Sequence, residues 1–204
     1  MREFSDLFEG VGKLPTDYDI RLATGAAYVD PVVSAAVRLP FGFEKRVFEK
    51  LDRMVADKII FPEVEPTEWV SRMLVVGKLD GYVRICLDPS NLNKTIQRQH
   101  FMVPKVEQEF GKIGNAKYFC RLDAASGFYQ ILLSERLSYL CTVAISVTKR
   151  RFRLLRLPFW LVSAPEVYLQ LQQMSGLFGD LQGVLIYFDD FLVMGDTLEE
   201  LEAN

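Results

Sequence analysis

The sequence predicts an α+β fold, with antiparallel strand pairs beside segregated amphipathic helices. Three observations carry the prediction. Apolar residues Val184-Leu185-Ile186 and Phe191-Leu192-Val193-Met194 flank Asp189-Asp190, which reads as two short strands joined by a tight turn. A second strand pair, 69–76 and 82–87, is separated by Lys78-Leu79-Asp80-Gly81, with Asp-Gly at its turn. Between the amino-terminal segment and that pair, Val47, Phe48, Leu51, Met54 and Val55 recur at helical spacing.

In chain order, residues 1–43 hold Gly10, Gly12, Pro15, Gly25, Pro31 and Pro40 with little periodicity, so they are expected to form an extended lead-in. The amphipathic helix follows over 44–58, closed by Pro62 and Pro66. After the strand pair, a helix is expected over 103–113, opened by Pro104 near its first turn. Strands are expected at 117–123, 139–147 and 152–157, then a helix over 164–177 with Pro165 at its start. No internal repeat is visible.

Composition narrows the class. The 204 residues suffice for one large domain or two intimate subdomains, and half are hydrophobic, so the chain is globular. No apolar run reaches membrane-spanning length, and Met1-Arg2-Glu3-Phe4-Ser5-Asp6 is not a signal peptide, which predicts an intracellular protein without a membrane partner. Cys86, Cys120 and Cys141 all lie in strand-like apolar contexts and are expected to be buried reduced thiols. The single His100 belongs to no metal-ligand pattern. A net charge of −3 and a pI near 5.3 weigh against a uniformly basic nucleic-acid binder. Charge is uneven, however. Lys149, Arg150, Arg151, Arg153 and Arg156 form a run without an acid, and Lys78, Arg84, Lys94 and Arg98 form a second basic region. The acids Glu199, Glu200 and Glu202 gather at the carboxyl end. Local basic grooves of this kind can bind phosphates by counterion release, although a solvated face gives the same pattern.

The chemistry concentrates on three carboxylates. Ionised Asp189 and Asp190 at the tip of an apolar hairpin are costly unless solvent or a cation meets them, and hard oxygen ligands suit Mg²⁺. Asp123 ends a strand-like stretch and is followed by Ala124, Ala125, Ser126 and Gly127, whose small side chains leave space beside it. Phosphoryl transfer with two metals about 4 Å apart needs carboxylates that bridge both ions. Each segment alone also reads as an Asp-rich turn.

Together the segments resemble reverse transcriptases. Leu122-Asp123-Ala124-Ala125-Ser126-Gly127-Phe128-Tyr129-Gln130-Ile131 is similar to their first catalytic motif, and Tyr187-Phe188-Asp189-Asp190 to their third. Pro66-Thr67-Glu68-Trp69-Val70-Ser71, the block from Arg84 to Asn93, and Leu155-Arg156-Leu157-Pro158-Phe159 resemble blocks of gypsy-class LTR retrotransposon polyproteins. The resemblance implies the fingers and partial palm of a right-hand polymerase, with an antiparallel palm sheet carrying helices on one face. Fingers would occupy 44–99 and 134–162, and palm 100–133 and 163–204, truncated after the Asp-Asp hairpin, with the thumb absent.

The same resemblance implies an RNA-directed DNA polymerase. Asp123, Asp189 and Asp190 would be catalytic and would hold two Mg²⁺ ions, with Mn²⁺ a possible substitute. Lys78 and Arg84 would clamp the incoming triphosphate, Phe128 would exclude a 2′-hydroxyl, Phe159 would border the nucleotide and Tyr187 the primer end. The implied partners are an RNA or DNA template with its primer, a dNTP, and the missing thumb and RNase H modules of a parent polyprotein.

Some residues depart from the family. Trp160 replaces a glycine after Leu-Pro-Phe, and an indole there is expected to obstruct the pocket. Leu169 stands where glutamine is usual, and Thr148-Lys149-Arg150 replaces a Pro-Phe-Gly turn. These departures keep open an alternative, a catalytically inactive remnant that retains the fold and at most nucleic-acid binding.

Overall fold

The computed structural model describes residues 10–14, 17–24, 29–39, 42–77, 83–98, 111–145, 150–174 and 181–203. In chain order these form β1 (Asp17–Tyr18), α1 (Glu44–Ala56), β2 (Ile60–Glu63), β3 (Ser71–Gly77), β4 (Val83–Asp88) and α2 (Ser90–Asn93). There follow β5 (Tyr118–Asp123), β6 (Leu132–Leu133), α3 (Glu135–Leu140), β7 (Thr142–Ile145) and β8 (Arg150–Leu154). The last are α4 (Ala164–Met174), β9 (Val184–Tyr187), β10 (Asp190–Gly195) and α5 (Leu198–Ala203). Two compact units result: Met1–Arg98 with Phe128–Ala164, and Gln99–Gly127 with Pro165–Asn204. The mixture of sheets and helices agrees with the predicted class. The turn at 78–82 and most of the expected helix over 103–113 lie outside the described residues, and Gly111–Ile113 is a 3-10 turn.

The first unit is built on a five-stranded sheet in the order β2-β8-β7-β3-β4. The β3–β7 pair is parallel and the others antiparallel, so this sheet is mixed. Helix α1 buries Val47, Leu51 and Met54, the stripe its spacing predicts. It ends earlier than Pro62 suggests, through a two-bond carboxyl-terminal cap. Ile59 N–H donates to the Met54 carbonyl (2.8 Å) and Lys58 N–H to the Val55 carbonyl (3.1 Å), with Lys58 at φ +53°. Pro62 lies instead in β2, an edge strand, where a missing N–H costs no ladder bond on the open side.

One expectation is corrected here. Residues 139–140 belong to α3 rather than to a strand, because Ser134 caps that helix by accepting from Leu137 N–H (3.1 Å); the strand begins at Thr142. The described part of the amino-terminal segment also contributes to the core. Leu14, Tyr18 and Ile20 are buried, β1 pairs with β6, and Tyr18 Oη donates to Ser163 Oγ (3.3 Å).

The basic run also behaves differently from a surface stripe. Arg156 is buried, and its Nη1 donates to the carbonyls of Gly12 (2.8 Å) and Tyr129 (2.9 Å). Burial pulls its pKa below the usual arginine value, with Asp57 opposing. Arg153 lies against the rings of Phe61 (4.9 Å) and Tyr139 (4.7 Å), and its Nε is 3.2 Å from Glu63 Oε2, whose side chain is 6% exposed. These two cations hold the unit together from inside. Arg153→Met is expected to cost about 3 kcal/mol, because Glu63 stays buried without its partner. Urea unfolding checks this, and adding Glu63→Gln should recover a large part of the loss.

The second unit contains a three-stranded antiparallel sheet in the order β5-β10-β9. In β10, Asp190 pairs with Asp123 of β5 and with Tyr187 of β9. Cys120 on β5 is exposed, so the prediction of three buried thiols holds for Cys86 and Cys141 alone. At Cys141, complete burial pushes the thiol well above its usual range, as for an inert core residue.

Candidate active site

The strand register determines what can meet. Asp123 is the last residue of β5 and Asp190 the first of β10, so the two stand directly opposite at one end of the sheet. Like charges facing across a strand pair are unfavourable without a cation. Between β9 and β10 the turn is Phe188-Asp189, and Phe188 takes φ +54°. A bulky aromatic residue in the left-handed region costs of order 1–3 kcal/mol, and such strain persists where surrounding contacts enforce it. One contact is explicit: the Asp189 carbonyl accepts from Ala124 N–H at 2.7 Å, tying the hairpin tip to the end of β5. Ser126, also at φ +55°, turns the chain immediately after.

Gly127 gives the site its depth. A Cβ there would lie 2.5 Å from Asp189 Oδ1 and 2.9 Å from Tyr168 Cζ, closer than atoms tolerate. The bare backbone therefore admits the Asp189 carboxylate and the buried Tyr168 ring together. Asp189 Oδ1 is buried with no hydrogen-bond donor. Its pKa is raised, first by desolvation and then by the charges of Asp123 and Asp190, while a hydrogen bond from Tyr168 works in the opposite direction.

The Asp190 carboxylate is engaged by Arg121. Nε donates to Asp190 Oδ1 at 2.9 Å, and Nη2 lies 2.8 Å from the same oxygen. Among the described residues, no group of three or more His, Cys, Asp or Glu side chains is arranged to hold a metal ion. The donor chemistry nonetheless fits a hard divalent cation: three carboxylates share one end of the sheet, and one presents a buried oxygen lacking a donor.

Of the other sequence-selected residues, Tyr187 joins this unit at the end of β9, its ring edge-on to Phe188 at 5.0 Å. Arg84, Phe128 and Phe159 belong to the first unit, and Lys78 lies outside the described residues. Arg84 is exposed on β4 and close enough to Tyr129 to act on its hydroxyl, whose pKa burial raises to about 12 against the opposing pull of Arg84. The Phe159 ring is 6.4 Å from Tyr129 and 5.7 Å from Trp160. A cavity of about 20 Å³ lined in part by Ile85, Tyr129, Phe159 and Trp160 has room for a water molecule, not a nucleobase.

Trp160 lines that cavity, is 51% exposed and has no positive φ, so the indole imposes no backbone strain. Asn93 brackets it by donating to the Trp160 carbonyl and accepting from Val162 N–H, each at 3.0 Å. Leu169 is buried on α4. In the replaced turn, residues 148 and 149 lie outside the described residues.

Two site residues escape sequence reasoning: Tyr168 and Arg121. Tyr168 is 45 positions from Asp123 and reads as a core aromatic. Arg121 had a usable signal, since a residue two before Asp123 on a strand shares its face.

Comparisons with known proteins bear on the fold and on the wider relationship of the chain. No family model matches the chain. The Pol polyprotein of transposon 412 from Drosophila melanogaster, described as retrovirus-related, is 27% identical over 181 residues, which cover 86% of this chain and 14% of that protein. A putative enzymatic polyprotein of Cassava vein mosaic virus is 25% identical, covering 89% of this chain and 28% of that one. Among solved structures, a prototype foamy virus protease-reverse transcriptase superposes with a TM-score of 0.82 over 99% of this chain and 27% of its own, at 20% identity. The foamy viral protease-reverse transcriptase in complex with an RNA/DNA hybrid gives 0.81 over 98% of this chain and 26% of its own, at 17% identity. The chain thus spans a small part of each relative, is similar to retroelement and retrovirus-related Pol polyproteins, and shares its fold with part of a viral protease-reverse transcriptase.

Proposed function

We propose that the chain is the fingers and partial palm of a gypsy-class retrotransposon reverse transcriptase, acting as an RNA-directed DNA polymerase. The observation that carries the reading is the convergence of Asp123, Asp189 and Asp190 on one sheet end, with a strained turn and a glycine making room for Asp189. In this reading a primer 3′-hydroxyl attacks the α-phosphate of a dNTP. A new O–P bond forms, the α–β phosphoanhydride bond breaks, the hydroxyl proton is released and pyrophosphate leaves.

Asp123, Asp189 and Asp190 would hold Mg²⁺ or Mn²⁺, which when bound supplies Lewis-acid stabilisation of the attacking and leaving oxygens. Tyr187 would support the primer end. Arg84 and Lys78 would bind the triphosphate, Phe159 would border the nucleotide, and Phe128 would leave no room for a 2′-hydroxyl. Template and primer binding is supported by the complexes of the foamy viral enzyme with an RNA/DNA hybrid and with double-stranded DNA.

One observation favours the alternative of an inactive remnant: the Asp190 carboxylate is paired with Arg121 rather than aimed at a common point with the other two. Primer extension on an RNA template with Mg²⁺ or Mn²⁺ decides between them. Template-directed incorporation falling at least ~10³-fold in Asp190→Asn is the expected result. No incorporation by the folded chain would support the remnant instead.

A further inference from the structure

We infer that Arg121 is a built-in counter-cation of the carboxylate site, one that a divalent ion must displace from Asp190. The inference rests on the metal-binding reading of Asp123, Asp189 and Asp190 and adds a residue that opposes metal loading. Its first basis is register. Arg121 lies two residues before Asp123 on β5, so its side chain leaves the same face, diagonal to Asp190 across the strand pair. Its second basis is the contact itself, in which two guanidinium nitrogens converge on the single atom Asp190 Oδ1.

Without such a cation the sheet end would concentrate three negative charges, with Asp123 and Asp190 directly opposite each other across the strand pair. Arg121 relieves part of their repulsion. The pair is also displaceable: the Arg121 side chain is 71% exposed and that of Asp190 49%, so water competes for both. Ion pairs in that setting are weak. A divalent ion that uses Asp190 Oδ1 must take the oxygen that Arg121 occupies, and it meets like charge at close range until the guanidinium withdraws. Arg121 therefore offsets part of the negative charge when no metal is present, and lowers the affinity for metal.

The test is Mn²⁺ titration of the full 204-residue chain, read by the electron paramagnetic resonance signal of free Mn²⁺. Arg121→Met should bind Mn²⁺ about tenfold more tightly than the wild type at low ionic strength, the gap narrowing as salt is added. Arg121→Lys, which keeps the charge, should stay close to the wild type. Far-UV circular dichroism establishes that both variants fold. Equal or weaker binding by Arg121→Met would overturn the inference, as would equal tightening by Met and Lys, or no Mn²⁺ binding by either the wild type or Arg121→Met. Failure of the underlying functional reading looks different: Mn²⁺ binding would survive unchanged in the Asp189→Asn, Asp190→Asn double variant.

Discussion

Replacing Gly127 by alanine is expected to disable the site and loosen the unit that carries it. The new methyl group would fall 2.5 Å from Asp189 Oδ1 and 2.9 Å from Tyr168 Cζ. Neither neighbour can yield cheaply. Tyr168 is 2% exposed on α4, and Asp189 sits in a two-residue turn whose carbonyl is bound to Ala124 N–H. Gly127 itself has no positive φ, so the penalty is one of packing rather than backbone conformation. Overpacking of this kind costs about 1–3 kcal/mol. The carboxylate is the part with a route outward, and moving it by an ångström should lower primer extension by ~10²-fold or more. Urea unfolding and single-nucleotide incorporation measure the two effects. The new methyl would also meet the Tyr168 hydroxyl oxygen, which Tyr168→Phe removes, so the double variant should regain part of the stability without regaining activity. Unchanged activity in Gly127→Ala would mean that Asp189 does not work from this position.

Asp189→Asn is expected to separate the two quantities in the opposite sense. Under the proposed chemistry incorporation should fall at least ~10³-fold, equivalent to about 4 kcal/mol of transition-state stabilisation. Stability should rise slightly. Asp189 binds its proton more tightly in the folded chain than in the unfolded one, where the ordinary value is 3.8. Between those two values the folded state carries the extra proton, so stability falls as pH rises through the window and is lost above the folded-state value. Asparagine removes the charge and can still accept from Tyr168. With solvent screening of this half-buried group, the gain should be no more than ~0.5 kcal/mol at pH 7.5 and should fade as the pH approaches 4. Thermal unfolding at the two pH values checks the sign. A destabilised Asp189→Asn at neutral pH would show that the carboxylate is supported rather than strained in the folded chain.

The hairpin bearing Asp189 and Asp190 was legible because two charges interrupt an apolar run at a point where only a turn or a site tolerates them. The helix over 44–56 was legible because Val47, Leu51 and Met54 keep its period over two turns. What failed to show was set by tertiary contact. Tyr139 and Leu140 look like the start of a strand, yet Ser134 caps a helix five residues earlier, and the short local cap decides the outcome. The burial of Leu14, Tyr18 and Ile20 has no periodic signature in so irregular a segment. Charge content likewise does not reveal that Arg153 packs on two rings and a buried carboxylate, or that Arg156 points its head at backbone carbonyls. The carboxylates of the site were visible in the sequence, while the space and the counter-charge around them were not.

The pairing of Asp123 with Asp190 makes the site an all-or-none property of strand alignment. Side chains alternate between faces, so sliding β5 by one residue would send Asp123 to the far side and bring an apolar neighbour opposite Asp190. No partly slipped state retains two facing carboxylates. The bond from Ala124 N–H to the Asp189 carbonyl sits at the end of the ladder, where it acts as a stop against such sliding. Chemical competence would then switch on in a single step, when the last rung of the ladder closes.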